Sequence, residues 1–457
     1  MAETPDPNAA DLLEDAWSEL IAGLNDARTM LGDPDIQPPV ATDRNLAEGH
    51  RYLLGQLYRL IETELQQTSE FPYFQRHPWT ICKYTIENPD NLYLYAPIDS
   101  HGTFRIEGRA YDHAHWQGAR SSSERLAPLY VIFEAHSVAP GDSGTLDELW
   151  DGSRVLTGML ASTDMNVEPD GSFEIMLAPK LPDGYAGNFI STLREEQGKP
   201  SIGATKLYVR EIFGDWDREH SLDMQITRVG NEGKHPSPRT AEQTSAQLRD
   251  IGNKLKGNIR FWNAFYGFLL DPFEKAPQRG PFHLRRNEIL QPRQAGLSTG
   301  GGQATNLFGG GLFDLAPDEA LIAEVSLVEE PVYVYVGMHL SDYWGQSLDY
   351  ANRLTSINQE QAHRDEDGRL RYVIAHRDPG VPNWLDTTEL ASGYITLRTT
   401  FPQSPPAGRQ PTVSCKVVPF GEIARELPDT TPSVTEPERR AQIAARQRHV
   451  TRRYRQY

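Results

Sequence analysis

Two histidines close two versions of the same strand. Pro128-Leu129-Tyr130-Val131-Ile132-Phe133-Glu134-Ala135-His136 lines up with Pro331-Val332-Tyr333-Val334-Tyr335-Val336-Gly337-Met338-His339 at a constant offset of 203. Side chains alternate along a strand. Val332, Val334, Val336 and Met338 are therefore expected on one face, with Tyr333, Tyr335 and His339 on the other. In the first copy Leu129, Val131, Phe133 and Ala135 oppose Tyr130, Ile132, Glu134 and His136. The aliphatic face suits a sandwich core. The other face offers phenol and imidazole, and an imidazole titrating near about pH 6.5 suits general acid–base work. His136, His339 and Tyr333 are thus candidate catalytic residues if that face lines a cleft; satisfied surface or interface positions account for the same pattern.

A rigid loop adds further candidates. In the run Asp378-Pro379-Gly380-Val381-Pro382-Asn383-Trp384, two prolines fix φ, the glycine permits a left-handed turn and Asn383 can bond its own backbone. On a functional reading it presents His376 and Asp378 as catalytic groups and Asn383 and Trp384 as ligand contacts. On a structural reading Asn383 and Trp384 lock a sandwich corner. Asn88-Pro89-Asp90-Asn91, followed by Tyr93, gathers amide, carboxylate and phenol at a strand entrance, a set suited to a hydroxylated ligand; a turn with Asx caps uses the same residues. Trp344 offers a ring for stacking on a sugar or lipid, and Arg353 completes the ligand-contact set.

Other motifs read more plainly as structure. His113 and His115 would share a face of an extended segment at a spacing used by cupin-type metal sites, but no further ligand follows at a helpful spacing, although His136 could approach. No metal and no organic cofactor is expected. Gly141-Asp142-Ser143-Gly144 is similar to the nucleophile loop of trypsin-like proteases, yet Thr145 replaces the next glycine and the upstream histidine and aspartate have no room. The glycine-rich run at 300–311 lacks the Gly-Lys-Ser/Thr ending of a phosphate loop. Glu211, Asp215, Asp217 and Glu219 crowd around Trp216. Paired carboxylates can divide acid and base roles, but a solvated turn is expected in so acidic a chain.

The chain has 457 residues and a net charge of −18, a field that disfavours nucleic acid and anionic membranes as partners. Its C-terminus is the exception: Arg439, Arg440, Arg446, Arg448, Arg452, Arg453 and Arg455 mark a basic helix. That helix either docks on the acidic body or a neighbouring subunit, or contacts nucleic acid or membrane. Cys82 and Cys415 are too few for a disulfide framework. With no positive, then apolar, N-terminal pattern and no membrane-length apolar run, a soluble cytoplasmic protein is expected.

Periodicity places helices in residues 1–75, with Leu13, Trp17, Leu20, Leu24 and Leu31 on one stripe and Leu46, Leu53, Leu57, Leu60 and Ile61 on a second. A first β-module follows over 76–230, then a helical and glycine-rich connection over 231–311. That connection includes a long helix opened by a Thr240/Gln243 capping box and striped with aromatics. A C-terminal β-sandwich over 312–420 and a Pro-rich tail with the basic helix over 421–457 complete the chain. The expected class is mainly β with helical additions (α+β): two related antiparallel, jelly-roll-like sandwiches.

The run from Ala375 to Asp386, with Asn88–Tyr93, Asp215-Trp216-Asp217 and Leu315–Leu321, resembles the bacterial proteins called domain of unknown function 1214. Those are often paired with an N-terminal partner, domain 1254. The likeness spans roughly residues 45–400, and its specific part is Asp378–Trp384; the first copy departs from it, with Phe189 after Asn188. The resemblance implies jelly-roll-like sandwiches and no particular activity. Three functions stay open: an enzyme without organic cofactor acting on a small hydroxylated or partly apolar molecule between the modules, a non-catalytic sugar or lipid binder, and a homo-oligomeric assembly protein.

Overall fold

The computed structural model describes residues 7–32, 42–66, 68–77, 83, 85, 87–149, 153–195, 197–270, 283–294, 305–328, 332–403, 405–406 and 408–454. Its longer strands form two series of the same design. The first is β1 (Asn91–Pro97), β2 (Phe104–Arg109), β3 (Tyr130–His136), β4 (Leu156–Ala161), β5 (Ser172–Ala178), β6 (Asn188–Ser191), β7 (Lys206–Ile212) and β8 (Asp223–Arg228). The second is β9 (Asn306–Asp314), β10 (Glu319–Ser326), β11 (Tyr335–Ser341), β12 (Ser356–Asn358), β13 (Leu370–Ala375), β14 (Trp384–Asp386), β15 (Ser392–Thr400) and β16 (Thr412–Pro419).

One sheet of the first module runs β1-β7-β3-β4 and its counterpart β9-β15-β11-β12. The facing sheets run β8-β2-β5-β6 and β16-β10-β13-β14. Even the exceptional parallel pair, β5 with β6, recurs as β13 with β14. The fold is thus mainly β, α+β, with two related sandwiches.

Alternation explains each core. Leu94, Phe133 and Val209 of one first-module sheet meet Ile106, Ile175 and Leu177 of the other. In the second module Val336, Met338 and Leu397 meet Leu321, Val325 and Ile374. Each such side chain contributes roughly 1.5–3 kcal/mol of burial.

β9 pairs with β15 from Asn306 to Asp314, so the module boundary expected at 311/312 falls inside a strand. Glycines 309–311 belong to that strand, along which the short strands Glu288–Ile289 and Arg293–Gln294 pair antiparallel. A Cβ on Gly309 would come within 2.7 Å of the Leu290 carbonyl, so close backbone approach explains the glycine. Gly300–Gly302 lie outside the described residues.

Three helices form a third layer: α1 (Pro7–Thr29), α2 (Asp43–Gln66) and α3 (Ala241–Leu270). The capping box exists, Thr240 N–H donating to Gln243 Oε1 (3.1 Å) and Gln243 N–H to Thr240 Oγ1 (3.2 Å). α1 meets α3 through glycine, a Cβ on Gly23 falling 2.9 Å from Gly252 Cα. That contact selects Ala16, Leu20 and Ala27 for burial and leaves Trp17 54% exposed, contrary to the expected stripe. Ile61 of α2 is also exposed. The aromatic stripe of α3 is core: Phe261, Trp262, Phe265 and Tyr266 pack with Leu312 and Tyr394.

The basic segment, α4 (Glu436–Tyr454), is a strap on the body of the protein. Arg439 donates to Asp378 (2.9 and 3.0 Å) and to the Val381 carbonyl (2.8 Å), in the second module. Arg446 donates to the carbonyls of Tyr350 (2.8 Å) and Ser356 (3.0 Å) while its guanidinium lies 4.5 Å from the Trp216 ring, in the first. Arg453 reaches the Pro89 carbonyl at 2.6 Å. These side chains bridge both sandwiches. No helix among the described residues is long and apolar enough to cross a membrane.

Candidate functional site

The repeated strands β3 and β11 occupy equivalent places, and their non-core faces meet across the module boundary. Tyr130, Ile132 and Ile212 form one buried cluster with Tyr335. His136 and His339 lie in this layer, 4% and 1% exposed. Glu134 is ion-paired with Arg210, and His136 Nε2 stands 4.0 Å from Glu134 Oε2. Both ring nitrogens of His136, and Nε2 of His339, lack a hydrogen-bond partner among the described residues. Burial pushes both imidazoles well below their usual range, with Arg154 and Arg398 respectively adding to the effect. These are enclosed, neutral rings rather than bases in an open cleft. Tyr333 does not join them: it precedes β11 and packs against the second-module core, while Val334 packs toward the boundary. The alternation starts only at Tyr335, which is the phenol that faces across.

The strand-entrance cluster forms a cross-module knot. Asp90 accepts from Tyr335 OH (2.7 Å), Asn358 Nδ2 (2.8 Å) and Trp216 Nε1 (2.9 Å). Asn88 Nδ2 donates to Tyr335 OH and Asn91 Oδ1, both 3.1 Å, and Asn88 N–H donates to Tyr93 OH at 2.8 Å. Burial raises the Asp90 carboxyl above its usual range. Every group of this quartet is directed at protein.

The rigid loop is likewise committed. Asn383, at φ 55°, accepts from His363 N–H (2.7 Å) and donates to the carbonyls of His363 (2.7 Å) and Arg371 (3.0 Å). Asn188 makes the same clasp, accepting from Asn166 N–H and donating to the carbonyls of Asn166 and Glu174, each at 2.8 Å. Trp384 is 8% exposed, its indole N–H donating to the Ala375 carbonyl at 3.1 Å, with Arg439 over its ring. His376 Nδ1 meets Thr387 Oγ1 (2.7 Å) and Nε2 meets the Leu315 carbonyl (3.1 Å); Asp378 holds Arg439. Trp344 is 3% exposed, stacks on Tyr52 and donates to the Asn45 carbonyl (2.9 Å), anchoring α2. Ligand roles expected for Asn383, Trp384 and Trp344 give way to structural ones because their polar atoms and faces are already engaged.

An open cleft of about 660 Å³ lies elsewhere, between α2, the 342–353 loop, the 387–390 turn and α4. Arg44, Glu48 and Arg51 of α2 line it with Lys83, Asp342, Ser347, Asp349, Arg353, Thr388, Glu389, Gln447 and Thr451. Of the sequence candidates, Arg353 is on this wall, ion-paired with Asp386 at 3.1 Å. Lys83 donates to the Ser347 carbonyl; burial lowers its ammonium, opposed by Glu87 and Asp342. The Asp342 carboxylate accepts from the backbone N–H groups of Trp344 (2.9 Å) and Gln346 (3.0 Å). Burial pushes it up to about 7, so it titrates near neutrality.

The lip of this cleft is strained. Leu390 N–H donates to the Thr387 carbonyl at 3.0 Å, closing a turn whose central residues, Thr388 and Glu389, have φ 55° and 67°. Two successive left-handed residues make a type I′ turn, which favours Asn-Gly. A β-branched residue there is an outlier costing on the order of 1–3 kcal/mol. Two contacts hold it: Thr388 N–H donates to Asp386 Oδ1 (2.7 Å), and Arg44 donates to the Thr388 carbonyl and, at 2.8 Å, to its Oγ1.

Apart from Arg353, sequence reasoning missed this site. The one available signal was Arg44, Glu48 and Arg51 at helical spacing on one face of α2; nothing in Thr387-Thr388-Glu389-Leu390 announces a tight turn. The acidic group near Trp216 also differs from expectation: Glu211 and Glu219 are buried, and burial pushes each up to about 8. Glu219 receives the N–H groups of Leu129, Gly214 and Asp215. His113 precedes and His115 lies within a 3-10 turn, Ala114–Gln117, rather than an extended segment, and His115 bonds the Pro128 carbonyl. No group of three or more His, Cys, Asp or Glu among the described residues is placed to hold a metal ion.

No family model matches the chain, and no curated protein does. Among solved structures, an uncharacterized protein from Burkholderia cenocepacia is similar over 90% of this chain and 99% of its own, with a TM-score of 0.71 and 24% identity. That likeness shows a shared fold. The VPA0106 protein from Vibrio parahaemolyticus matches over 87% of this chain and 100% of its own at a TM-score of 0.41 and 11% identity.

Proposed function

We propose that this protein binds a small polar, hydroxylated molecule in the cleft between α2, the 342–353 loop, the strained turn and α4. The observation that carries the reading is the coincidence of an open cleft, rich in side-chain donors, with a non-glycine type I′ turn on its lip. Strain of this kind collects at ligand clamps, where the fold holds a geometry that local preference disfavours. The enclosed histidines support catalysis less well, being 4% and 1% exposed. Thermal-shift and calorimetric screening of the full chain against small polyols, sugars and sugar acids tests the reading. Saturable binding weakened at least tenfold by Arg353→Ala supports it; binding untouched by substitution at both Arg353 and Gln447 sinks it.

A second reading, favoured by Asp342 titrating near about 7 inside the cleft wall, makes the protein an enzyme that uses this carboxyl for proton transfer. Turnover of a bound ligand that follows one ionisation near neutrality, abolished in Asp342→Asn with binding retained, is its test. A cytoplasmic location, a homo-oligomeric state and kinship with the domain of unknown function 1214 proteins belong to the same proposal. The oligomer rests on the duplicated modules and the terminal arm, and kinship on the Asp378–Trp384 run.

A further inference from the structure

The cations of the cleft are not equally committed. Arg353 is ion-paired with Asp386 (3.1 Å) and Arg51 with Glu48 (3.7 Å), while the buried Lys83 donates to the Ser347 carbonyl with the Glu87 and Asp342 carboxyls acting on its charge. Arg44 makes no ion pair among the described residues: its guanidinium donates to the carbonyl and the hydroxyl of Thr388, both neutral. A guanidinium presents a fork of donors that matches an oxyanion bidentately, and charge-assisted bonds are about twice as strong as bonds to neutral acceptors. An oxyanion entering the cleft therefore gains by taking Arg44 from Thr388. The same side chain is one of two contacts holding the strained turn, so that exchange loosens one of the turn's two supports.

Resting on the reading of this cleft as a ligand site, we infer that its ligand carries an oxyanion, a carboxylate or a phosphate ester, and that Arg44 is the residue that binds it. Glu48, Asp349 and Glu389 line the same cleft and disfavour a bare polyanion. The class that fits has one anionic group with hydroxyls around it: a sugar acid or a sugar monophosphate.

The experiment compares gluconate, glucose 6-phosphate and glucose on the full chain by isothermal titration, with Arg44→Gln and Arg44→Lys alongside. Gluconate or glucose 6-phosphate should bind about ten- to a hundredfold more tightly than glucose, the range a charged hydrogen bond supplies. Whichever of the two binds better identifies the oxyanion. Within Arg44→Gln the anions should bind no more tightly than glucose binds the same variant, and Arg44→Lys should restore part of the preference. Glucose binding as tightly as both anions, or an anion preference that survives Arg44→Gln, overturns the inference while leaving the cleft reading intact. No binding of any of the three, with the protein folded by its thermal transition, counts against the cleft reading itself. Should Arg44→Gln fail to fold, loss of the preference in Thr388→Val, where the hydroxyl partner alone is removed, would overturn it, since Arg44 would then be freer to take the anion.

Discussion

The two sandwiches share strand order, core alternation and an asparagine clasp, and they part at one corner. After β6, Thr192 accepts from Ala204 N–H (2.8 Å), and between them Leu193–Arg194 pairs with Ile202–Gly203 in a small ribbon. After β14, the equivalent Thr387 accepts from Leu390 N–H, and only Thr388 and Glu389 lie between. The first module turns this corner with a relaxed ribbon; the second turns it with a two-residue turn in a conformation neither residue prefers. Only the second corner borders the cleft. A shared framework tolerates either connection, so strain confined to one copy is not required by the fold, and it supports the proposed reading of the cleft.

The largest test of the comparison removes one of the ties between its halves. Deleting residues 436–457 takes away Arg439, Arg446 and Arg453 together, and calorimetry should resolve two transitions in place of one. The single change Arg446→Ala leaves the Tyr350 and Ser356 carbonyls unpaired and bares Trp216, an expected loss of about 3 kcal/mol in urea unfolding. One unchanged transition after the deletion would mean that the modules hold together without the strap.

Next in size are the clasps. Asn188→Ala and Asn383→Ala each remove three hydrogen bonds to loop and strand, and each should destabilise by about 2–3 kcal/mol. Equal effects would show that the duplicated clasp serves one purpose in both modules. A loss of ligand affinity with Asn383→Ala at unchanged stability would instead make that residue part of the site.

A pH titration reads the buried carboxyls, at up to about 1.4 kcal/mol per pH unit for each group involved, Asp342 of the second module among them. Glu211 and Glu219, both in the first module, are raised from an ordinary 4.5 to about 8 by burial. Each keeps its proton in the folded state over a range where the unfolded chain releases it. Their stabilisation is therefore complete below about pH 4.5 and is lost as pH rises through 8. Chemical denaturation from pH 5 to 8.5 should show falling stability, and Glu211→Gln should flatten that slope.

The smallest expected effect is a gain. Glu389 is exposed and sits at φ 67°, so Glu389→Gly should stabilise by about 1 kcal/mol while leaving the turn in place. If the melting temperature falls instead, the turn is not strained and the contrast between the two corners loses its meaning.

The duplication was legible because a strand buried on one face must alternate, and equivalent strands repeat that alternation: Val131-Ile132-Phe133 and Val334-Tyr335-Val336 announce related sheets. The capping box and the aromatic stripe of α3 were legible for the same local reason. Side-chain assignments fared worse. Trp344, Trp384 and Asn383 have the chemistry of ligand contacts, but whether an indole faces solvent depends on which helix covers it, and α2 and α4 do.

By its sequence alone this chain determined two sandwiches, a helical layer and a basic C-terminal helix, because those follow from periodicity and composition within short windows. Tertiary structure alone decided where the open cleft lies. Arg44, Lys83, Asp342, Thr388 and Gln447 come from distant stretches of chain, and their meeting depends on how layers pack. The left-handed backbone at Thr388 is held by Asp386 and by Arg44 of a distant helix, against the local preference of the residue itself.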